Sequence, residues 1–343
     1  MNKNELKVIA NKMVKEGKGI LAADESTPTC TKRFETIGVE STEFNRNKYR
    51  DMLFTTKGME EFISGVILFD ETLHQSTIND NIPFPKYFDS KGILTGIKVD
   101  AGAKDLALHN GEKITEGLDS LRERLLKYYD LGARFAKWRA VITIGNNIPS
   151  IACIHGNAAS LARYAALCQE SGLVPIVEPE VLMDGDHTID KCFEVSRQTF
   201  YQVFEELEKQ DIYLPGIVLK PNMIISGLNC KEQAPVEEVA EKTVGCLLET
   251  VPEEVPGCAF LSGGQTSEKA TKHLNAMNKN HINELPWNLT FSYGRALQEK
   301  ALVAWSGKEN NIMGAQKLFY NRAKYNSLAT KGSYSENLEM ETV

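Results

Sequence analysis

Residues 216–222 read Gly216-Ile-Val-Leu-Lys220-Pro-Asn222, a short apolar run that ends in a lysine. A run of this kind is typical of a strand buried in a parallel sheet. An amine at the end of such a strand lies against a dry core, which disfavours its charged form, so it can act as a nucleophile. For this lysine taken by itself, an exposed position at a strand-to-loop junction is the alternative.

Two other apolar runs end in charged side chains in the same way. Phe135-Ala-Lys137-Trp-Arg139 supplies a second lysine, and Val174-Pro-Ile-Val-Glu178-Pro-Glu180 supplies a pair of carboxylates. If the three runs are parallel strands of one sheet, their charged ends lie at the same edge. This arrangement favours a catalytic site over an exposed lysine.

Eight β-rich runs alternate with stretches that can hold one helix and two loops. They are residues 19–24, 65–69, 96–99, 135–137, 174–178, 216–220, 259–262 and 289–293. The clearest helices are predicted at residues 157–171 and 199–210. Eight such units match the size of a closed (β/α)8 barrel, the α/β fold known as the TIM barrel, in which all strands end on one face. A doubly wound open sheet is the competing fold, but no glycine-rich dinucleotide signature follows the first run.

Composition indicates a soluble enzyme rather than a membrane or nucleic-acid-binding protein. No apolar stretch approaches the roughly 20 residues that cross a bilayer, and no secretory signal begins the chain, so we expect a cytoplasmic protein that does not bind membranes. The net charge of −7 argues against nucleic acid as a partner. We expect one barrel domain at residues 1–328 and a flexible tail at 329–343.

The cysteines and histidines favour neither disulfides nor a metal site. The seven cysteines are an odd number without C-x-x-C spacing, and the six histidines show no close pair. We therefore expect no metal and no cofactor.

A basic cluster is expected at the strand ends, because an acidic chain can hold an anionic ligand only with local cations. Four of its members follow a predicted strand directly or within three residues, and two lie in the loop region after the first strand: Lys98, Lys137, Arg139 and Arg295, then Lys32 and Arg33. Several cations at a barrel mouth indicate a phosphate site.

Two glycine-containing segments follow the last two predicted strands. They are Leu261-Ser262-Gly263-Gly264 and Ser292-Tyr293-Gly294-Arg295. Glycine lets backbone N–H groups approach an oxyanion, and in barrels the loops after strands seven and eight often bind phosphate. An ordinary turn is the alternative for one such segment alone.

Taken together, the motifs at the strand ends resemble those of class I fructose-1,6-bisphosphate aldolases. They are Ile20-Leu-Ala-Ala-Asp24-Glu25-Ser26, Gly65-Val-Ile-Leu-Phe69, Gly96-Ile-Lys98-Val-Asp100, Phe135-Ala-Lys-Trp-Arg139, Pro175-Ile-Val-Glu-Pro-Glu180, Leu219-Lys-Pro-Asn-Met223, Phe260-Leu-Ser-Gly-Gly-Gln265 and Thr290-Phe-Ser-Tyr-Gly-Arg295. The resemblance extends from about residue 5 to 335. It implies a homotetrameric barrel that reversibly cleaves fructose 1,6-bisphosphate to dihydroxyacetone phosphate and glyceraldehyde 3-phosphate, in glycolysis and gluconeogenesis.

The resemblance implies that Lys220 forms an imine (a Schiff base) with the C2 ketone of the sugar. A protonated imine withdraws electrons better than a ketone, so the C3–C4 bond can break and leave an enamine. Lys137 is implied as the neighbouring cation that favours a neutral Lys220 and helps to form and dehydrate the carbinolamine.

Three carboxylates are implied to divide the remaining work. Glu178 matches the general acid and base of carbinolamine dehydration, Asp24 matches the base that takes the C4 hydroxyl proton, and Glu180 holds the lysines in place. A merely acidic strand exit is the alternative for Glu178 and Glu180. A helix N-cap with acidic neighbours is the alternative for residues 24–26.

The remaining matches are substrate-binding residues. Those implied for the C1 phosphate are Ser262, Gly263, Gly294 and Arg295, in the same two segments as Ser292; those implied near the C6 phosphate are Ser26, Lys32, Arg33 and Lys98. Arg139 matches a residue that contacts substrate. Pro28 and Thr29 stand where relatives commonly have glycine and serine, so the C6 site departs from the family pattern.

The C-terminus departs further from the family pattern than the C6 site does. Animal members end in a tyrosine that assists proton exchange on the enamine, whereas this chain ends Glu339-Met-Glu-Thr-Val343, and Tyr334 is the nearest tyrosine. We do not transfer the role to Tyr334. The preference between fructose 1,6-bisphosphate and fructose 1-phosphate stays open.

Three other functions compete with this assignment. Transaldolase-like and deoxyribose-phosphate aldolase-like barrels need only a lysine and a carboxylate, but two phosphate sites argue against them. A scaffold protein that has lost its chemistry would usually have lost the nucleophile or its partners, all of which are present. Metal-dependent aldolases use zinc, for which the histidine spacing is wrong.

Overall fold

Eight parallel strands close into a barrel in the computed structural model of this chain, which describes residues 2–281 and 285–340. The ten described strands are β1 (Gly19–Ala23), β2 (Ile63–Leu68), β3 (Leu94–Lys98), β4 (Ala103–Asp105), β5 (Lys113–Thr115), β6 (Phe135–Ile142), β7 (Val174–Val181), β8 (Val218–Leu219), β9 (Gly257–Phe260) and β10 (Asn288–Tyr293). The barrel order is β1-β10-β9-β8-β7-β6-β3-β2, and β4 pairs with β5 in a separate antiparallel hairpin. The predicted TIM barrel is confirmed.

Helices alternate with the barrel strands along the chain. Those described are α1 (Lys3–Met13), α2 (Thr27–Glu35), α3 (Glu43–Phe54), α4 (Asp70–Leu73), α5 (Phe84–Ser90), α6 (Leu121–Asp130), α7 (Ile151–Glu170), α8 (Ile189–Lys209), α9 (Val236–Thr250), α10 (Ser267–His281), α11 (Arg295–Trp305), α12 (Ile312–Ala329) and α13 (Asn337–Met340). The two helices predicted most clearly are parts of α7 and α8, which begin earlier than predicted. None of the described helices is long and apolar enough to cross a membrane.

Every predicted β-run overlaps a barrel strand, and two strands, β6 and β7, extend well past the predicted runs. Strands β6 and β7 stay paired over eight positions, from Phe135 opposite Val174 to Ile142 opposite Val181. Arg139 and Glu180 therefore lie within strands, not in the loops after the predicted runs, and Glu178 lies within β7 rather than at its end. In the C-terminal parts of β6 and β7, polar or charged residues interrupt the apolar ones, so the predicted apolar runs end before the strands do.

The barrel interior is filled at its N-terminal end. Side chains from seven of the strands, including Ile20, Phe135 and Ile176, form one apolar cluster with α1 residues such as Leu6 and Met13. A Cβ at Gly96 would lie 2.1 Å from the Phe135 ring, so the missing side chain there makes room for this ring. The opposite end, where the strands finish, carries the polar residues.

Candidate active site

Lys220, Lys137, Glu178 and Asp24 form one network of ion pairs at the C-terminal ends of the strands. Glu178 places Oε1 3.1 Å from Lys220 Nζ and Oε2 3.3 Å from Lys137 Nζ. Lys137 Nζ also donates a hydrogen bond of 2.9 Å to Asp24 Oδ2. The two lysines are thus joined through a single carboxylate.

The strand register produces this arrangement. Lys137 lies opposite Ile176 on β7, so Glu178 is two positions further along, on the same face of the sheet. Leu219, the last residue of β8, pairs with Val177, and Lys220 follows it directly. Asp24 directly follows β1, on the far side of the barrel order from β6. Its bond to Lys137 therefore crosses the barrel mouth.

Burial and charge fix the ionisation of two members of the network. Burial alone would raise the pKa of Asp24, but Lys137 and Lys220 outweigh it and hold this pKa well below its usual range. Burial alone would lower the pKa of Lys137, but the charges of Asp24 and Glu178 outweigh it and raise this pKa. Near neutral pH the Asp24 side chain is a carboxylate, which can accept a proton, and Lys137 is a cation.

A second set of ion pairs lines the ends of β3, β6 and β7. Lys98 Nζ lies 2.7 Å from Asp100 Oδ1, and the Arg139 backbone N–H donates to Asp100 Oδ2 at 3.3 Å. The Arg139 side chain pairs through Nε with Glu180. Glu180 was expected beside the lysines; among the described ion pairs its partner is Arg139. Asp100 thus orients both Lys98 and the β6 backbone.

The loops after β9 and β10 carry glycines, and two arginines lie beside these glycines. Gly263 and Gly264 have φ angles of 50° and 73°, in the left-handed region that favours glycine. A Cβ at Gly264 would lie 3.7 Å from Arg295 Nη2, and a Cβ at Gly294 would lie 3.9 Å from Arg33 Nη2. Each guanidinium group therefore lies beside a glycine of one loop, an arrangement suited to an oxyanion.

Arg33 is held in this position by Glu25. Glu25 pairs with Arg33, and its Oε2 lies 2.5 Å from Nη1 of the buried Arg50. Gln298 donates through Nε2 to Glu25 Oε1 at 3.0 Å and to the Ala22 carbonyl at 2.7 Å. Burial would raise the pKa of Glu25, but Arg33 and Arg50 outweigh it and lower this pKa. The ionised carboxylate therefore anchors Arg33.

Comparison with known proteins decides the family. The sequence model of fructose-bisphosphate aldolase class-I matches residues 5–343. The chain belongs to this family. The aldolase is 56% identical over 335 residues to a probable fructose-bisphosphate aldolase class 1 of Xanthomonas campestris, with 97% of this chain and 99% of that protein covered.

Two further relatives of this aldolase support the same family assignment. The cytoplasmic isozyme of fructose-bisphosphate aldolase from Spinacia oleracea is 53% identical over 331 residues, covering 96% of this chain and 92% of that one. The structure of fructose-bisphosphate aldolase from Plasmodium falciparum in complex with TRAP and a small-molecule inhibitor superposes with a TM-score of 0.95. It is 47% identical, with 97% of this chain and 96% of that chain covered. The predicted family and its lyase activity are confirmed.

Four other residues predicted for the site make fewer of the described contacts. Ser26 is the N-cap residue of α2, but its hydroxyl makes no capping bond and lies 3.1 Å from Thr29 Oγ1. Lys32 is exposed on α2. Ser262 and Ser292 are buried, and among the described residues the Ser292 hydroxyl has no hydrogen-bond partner. The Ser26 hydroxyl is thus hydrogen-bonded to Thr29, whereas the buried Ser292 hydroxyl has no described partner.

Sequence reasoning missed three residues that support the aldolase site. Asp100 has a usable signal, because it follows Lys98, the last residue of β3, by two residues. Arg50 and Gln298 lie on α3 and α11, far from Glu25 along the chain. Their role depends on tertiary packing and has no local signature.

Tyr334 packs away from the strand ends. Its hydroxyl donates to Glu339 Oε1 at 2.6 Å, and its ring lies 6.2 Å from that of Tyr325 on α12. Burial and the bond to Glu339 raise the pKa of this phenol. The chain-end residues 341–343 lie outside the described residues.

Replacing Tyr334 with phenylalanine is therefore expected to leave proton exchange on the enamine unchanged. The hydroxyl is engaged by Glu339, so its loss removes a tail contact and no catalytic group. Release of tritium from labelled dihydroxyacetone phosphate measures the exchange rate. A slowed exchange in the folded variant would show that Tyr334 takes part.

Proposed function

We propose that this aldolase reversibly cleaves fructose 1,6-bisphosphate to dihydroxyacetone phosphate and glyceraldehyde 3-phosphate through an imine on Lys220. The observation that carries the proposal is the Lys220 amine, whose side chain is 5% exposed and lies 3.1 Å from Glu178. Glu178 in turn contacts Lys137, so an acid, a cation and a nucleophile meet at one point. The cleavage direction of this reaction serves glycolysis, and the condensation direction serves gluconeogenesis.

In the proposed reaction the neutral Lys220 amine attacks C2 of the sugar and forms a carbinolamine. Glu178 donates a proton to the departing C2 hydroxyl, which leaves as water and gives the protonated imine. Lys137, held as a cation between two carboxylates, stabilises the developing oxyanion at C2. Glu178 is suited to this role because its two oxygens reach both lysines.

Carbon–carbon cleavage is assigned to Asp24. Its carboxylate takes the proton of the C4 hydroxyl, the C4–O bond becomes a carbonyl, and the C3–C4 electrons move into the imine to form an enamine. Glyceraldehyde 3-phosphate then leaves. Protonation of the enamine at C3 and hydrolysis of the imine release dihydroxyacetone phosphate and restore Lys220.

The two phosphates of the substrate are assigned to two groups of residues around this network. The C1 phosphate is assigned to the loops after β9 and β10, with Ser262, Gly263, Ser292, Gly294 and Arg295. The C6 phosphate is assigned to Ser26, Lys32, Arg33 and Lys98, with Arg139 contacting the sugar. The position of Arg33 beside Gly294 supports a role for its guanidinium between the two groups.

Trapping the imine tests the proposal directly. The protein is incubated with dihydroxyacetone phosphate and reduced with borohydride, and the adduct is mapped by peptide mass spectrometry. We expect a substrate-dependent adduct on the peptide that contains Lys220. Folded protein that yields no adduct would contradict the proposal and favour a scaffold function.

Removal of divalent metals is expected to leave activity unchanged. The protonated imine serves as the electron sink that zinc provides in metal-dependent aldolases. The measurement is the cleavage rate of fructose 1,6-bisphosphate before and after dialysis against EDTA. Inhibition that is reversed by added zinc would overturn the imine assignment.

The quaternary and cellular settings are also proposals. We propose a homotetramer in the cytoplasm, supported by the family resemblance and by relatives named as cytosolic or cytoplasmic in Arabidopsis thaliana and Spinacia oleracea. Within the chain we propose one catalytic domain at residues 1–328 and a C-terminal tail at 329–343. Light scattering of the purified protein measures the number of subunits.

A further inference from the structure

Gln265 connects the two loops to which the C1 phosphate is assigned. Its side-chain Nε2 donates a hydrogen bond of 3.0 Å to the Ser262 carbonyl, within the loop after β9. Its own backbone carbonyl accepts a bond of 3.2 Å from Arg295 Nη2, after β10. The residue is buried, with 7% of its surface exposed. One glutamine therefore fixes both the turn that contains Gly263 and the guanidinium group of Arg295.

His273 on α10 fixes the orientation of the Gln265 amide. Its Nδ1 lies 2.6 Å from Gln265 Oε1, and its side chain is fully buried. Burial, with the nearby charges of Lys269 and Lys272, lowers the pKa of His273 to about 3, so the ring is neutral near pH 7. Because an amide oxygen can only accept, Nδ1 carries the proton and donates it.

This contact and the Ser262 carbonyl, which can only accept, together determine which way the glutamine faces. With Oε1 bonded to His273, the amide nitrogen is the group directed at the Ser262 carbonyl. If the amide were flipped, two acceptors would face each other and a buried donor would be left unpaired, which is costly. The donor and the acceptor are thus fixed in each hydrogen bond of the series that links His273, Gln265, Ser262 and Arg295.

We propose that Gln265, oriented by His273, is a positioning residue for the C1 phosphate of the substrate. The inference rests on the proposed function, which places that phosphate between Ser262, Gly263, Gly294 and Arg295. Gln265 itself does not touch the reacting atoms. It sets the distance between a loop rich in backbone N–H groups and the arginine opposite, and small errors in such distances weaken binding strongly.

Two substitutions at His273, equal to each other in size, separate the effect of its hydrogen bond from the effect of its packing. His273→Asn keeps an amide N–H at the position of Nδ1, whereas His273→Leu has the same shape and no donor. We expect His273→Leu to raise the KM for dihydroxyacetone phosphate about 10-fold in the condensation direction, as for the loss of one buried hydrogen bond. The KM for glyceraldehyde 3-phosphate should stay unchanged. We expect His273→Asn to stay within about 2-fold of wild type for both substrates.

A second variant acts on the glutamine itself. Gln265→Glu keeps an acceptor for His273 but places a carboxylate oxygen against the Ser262 carbonyl. It should raise the KM for dihydroxyacetone phosphate in the same selective way, and it decides the question if His273→Leu does not fold.

Gln169 provides the matched control. It is a buried glutamine that bridges Tyr213 and Gly216 before β8, at the other end of the barrel. Gln169→Leu should lower the melting temperature and leave the KM for dihydroxyacetone phosphate unchanged.

The outcomes separate this inference from the function on which it rests. Wild-type protein that forms no borohydride adduct with dihydroxyacetone phosphate would overturn both. Where wild type forms the adduct, three results overturn the positioning role alone: an unchanged KM for dihydroxyacetone phosphate in the folded variants, an equal rise in both KM values, or the same rise in Gln169→Leu. A selective rise that His273→Asn avoids supports the role.

Discussion

Replacing Lys220 with alanine is expected to reduce the cleavage rate of fructose 1,6-bisphosphate by roughly 10⁵- to 10⁶-fold, the size of effect seen when a covalent catalyst loses its nucleophile. We do not expect Lys137 to substitute for it, because Asp24 and Glu178 raise the pKa of the Lys137 amine and keep it a cation. The borohydride adduct with dihydroxyacetone phosphate should disappear as well. Steady-state kinetics and peptide mapping measure the two effects.

Two controls distinguish lost chemistry from lost charge. Lys220→Arg keeps a cation next to Glu178 but has no amine that can form an imine, so it should be as inactive as the alanine variant. Lys113→Ala removes a lysine that pairs with Asp105 in the β4–β5 hairpin and should retain full activity. Substantial cleavage by folded Lys220→Arg would show that the cation, and not an imine, carries the reaction.

Neutralising either carboxylate beside Lys137 is expected to reduce the cleavage rate by about 10²- to 10⁴-fold, the usual contribution of a positioned acid or base. Glu178→Gln and Asp24→Asn change the shape of the side chain very little. The two variants should fail at different steps, because Glu178 contacts the nucleophile at 3.1 Å whereas Asp24 contacts only the neighbouring lysine among the described ion pairs.

Rapid-quench trapping separates the steps. Glu178→Gln should form the adduct with dihydroxyacetone phosphate slowly, because carbinolamine dehydration lacks its acid. Asp24→Asn should form that adduct at nearly the wild-type rate and yet cleave the hexose slowly. If Asp24→Asn were as slow in forming the adduct as Glu178→Gln, the assignment of separate steps to the two carboxylates would be wrong.

The sequence predicted the barrel and its strand ends well because each strand carries its own signal. A buried parallel strand is apolar on both faces, so a run such as Gly65-Val-Ile-Leu-Phe69 can be identified without its neighbours. Once eight such runs are assigned to one barrel, closure brings Lys137, Glu178 and Lys220 to one end. The family resemblance supplied the roles, which spacing alone does not contain.

What could not be predicted depends on contacts between distant segments. Strands β6 and β7 extend past their apolar runs because they pair with each other over eight positions, a stabilisation that neither segment shows alone. The same applies to Gln298, which reaches back 273 residues to Glu25. Nothing in the sequence distinguishes His273 from the other polar residues of α10, because its contact with Gln265 depends on the fold.

The pairing of β1 with β10 brings the N-terminal and C-terminal parts of the chain together. Ile20 pairs with Ser292, and Gln298 supports the Ala22 carbonyl two residues before Asp24. A nascent chain on the ribosome therefore contains the proposed nucleophile at residue 220 long before it can hold the proposed base at residue 24 in place. We therefore expect catalytic competence only after synthesis has passed α11, and we expect a fragment that lacks the last strand to be inactive rather than weakly active.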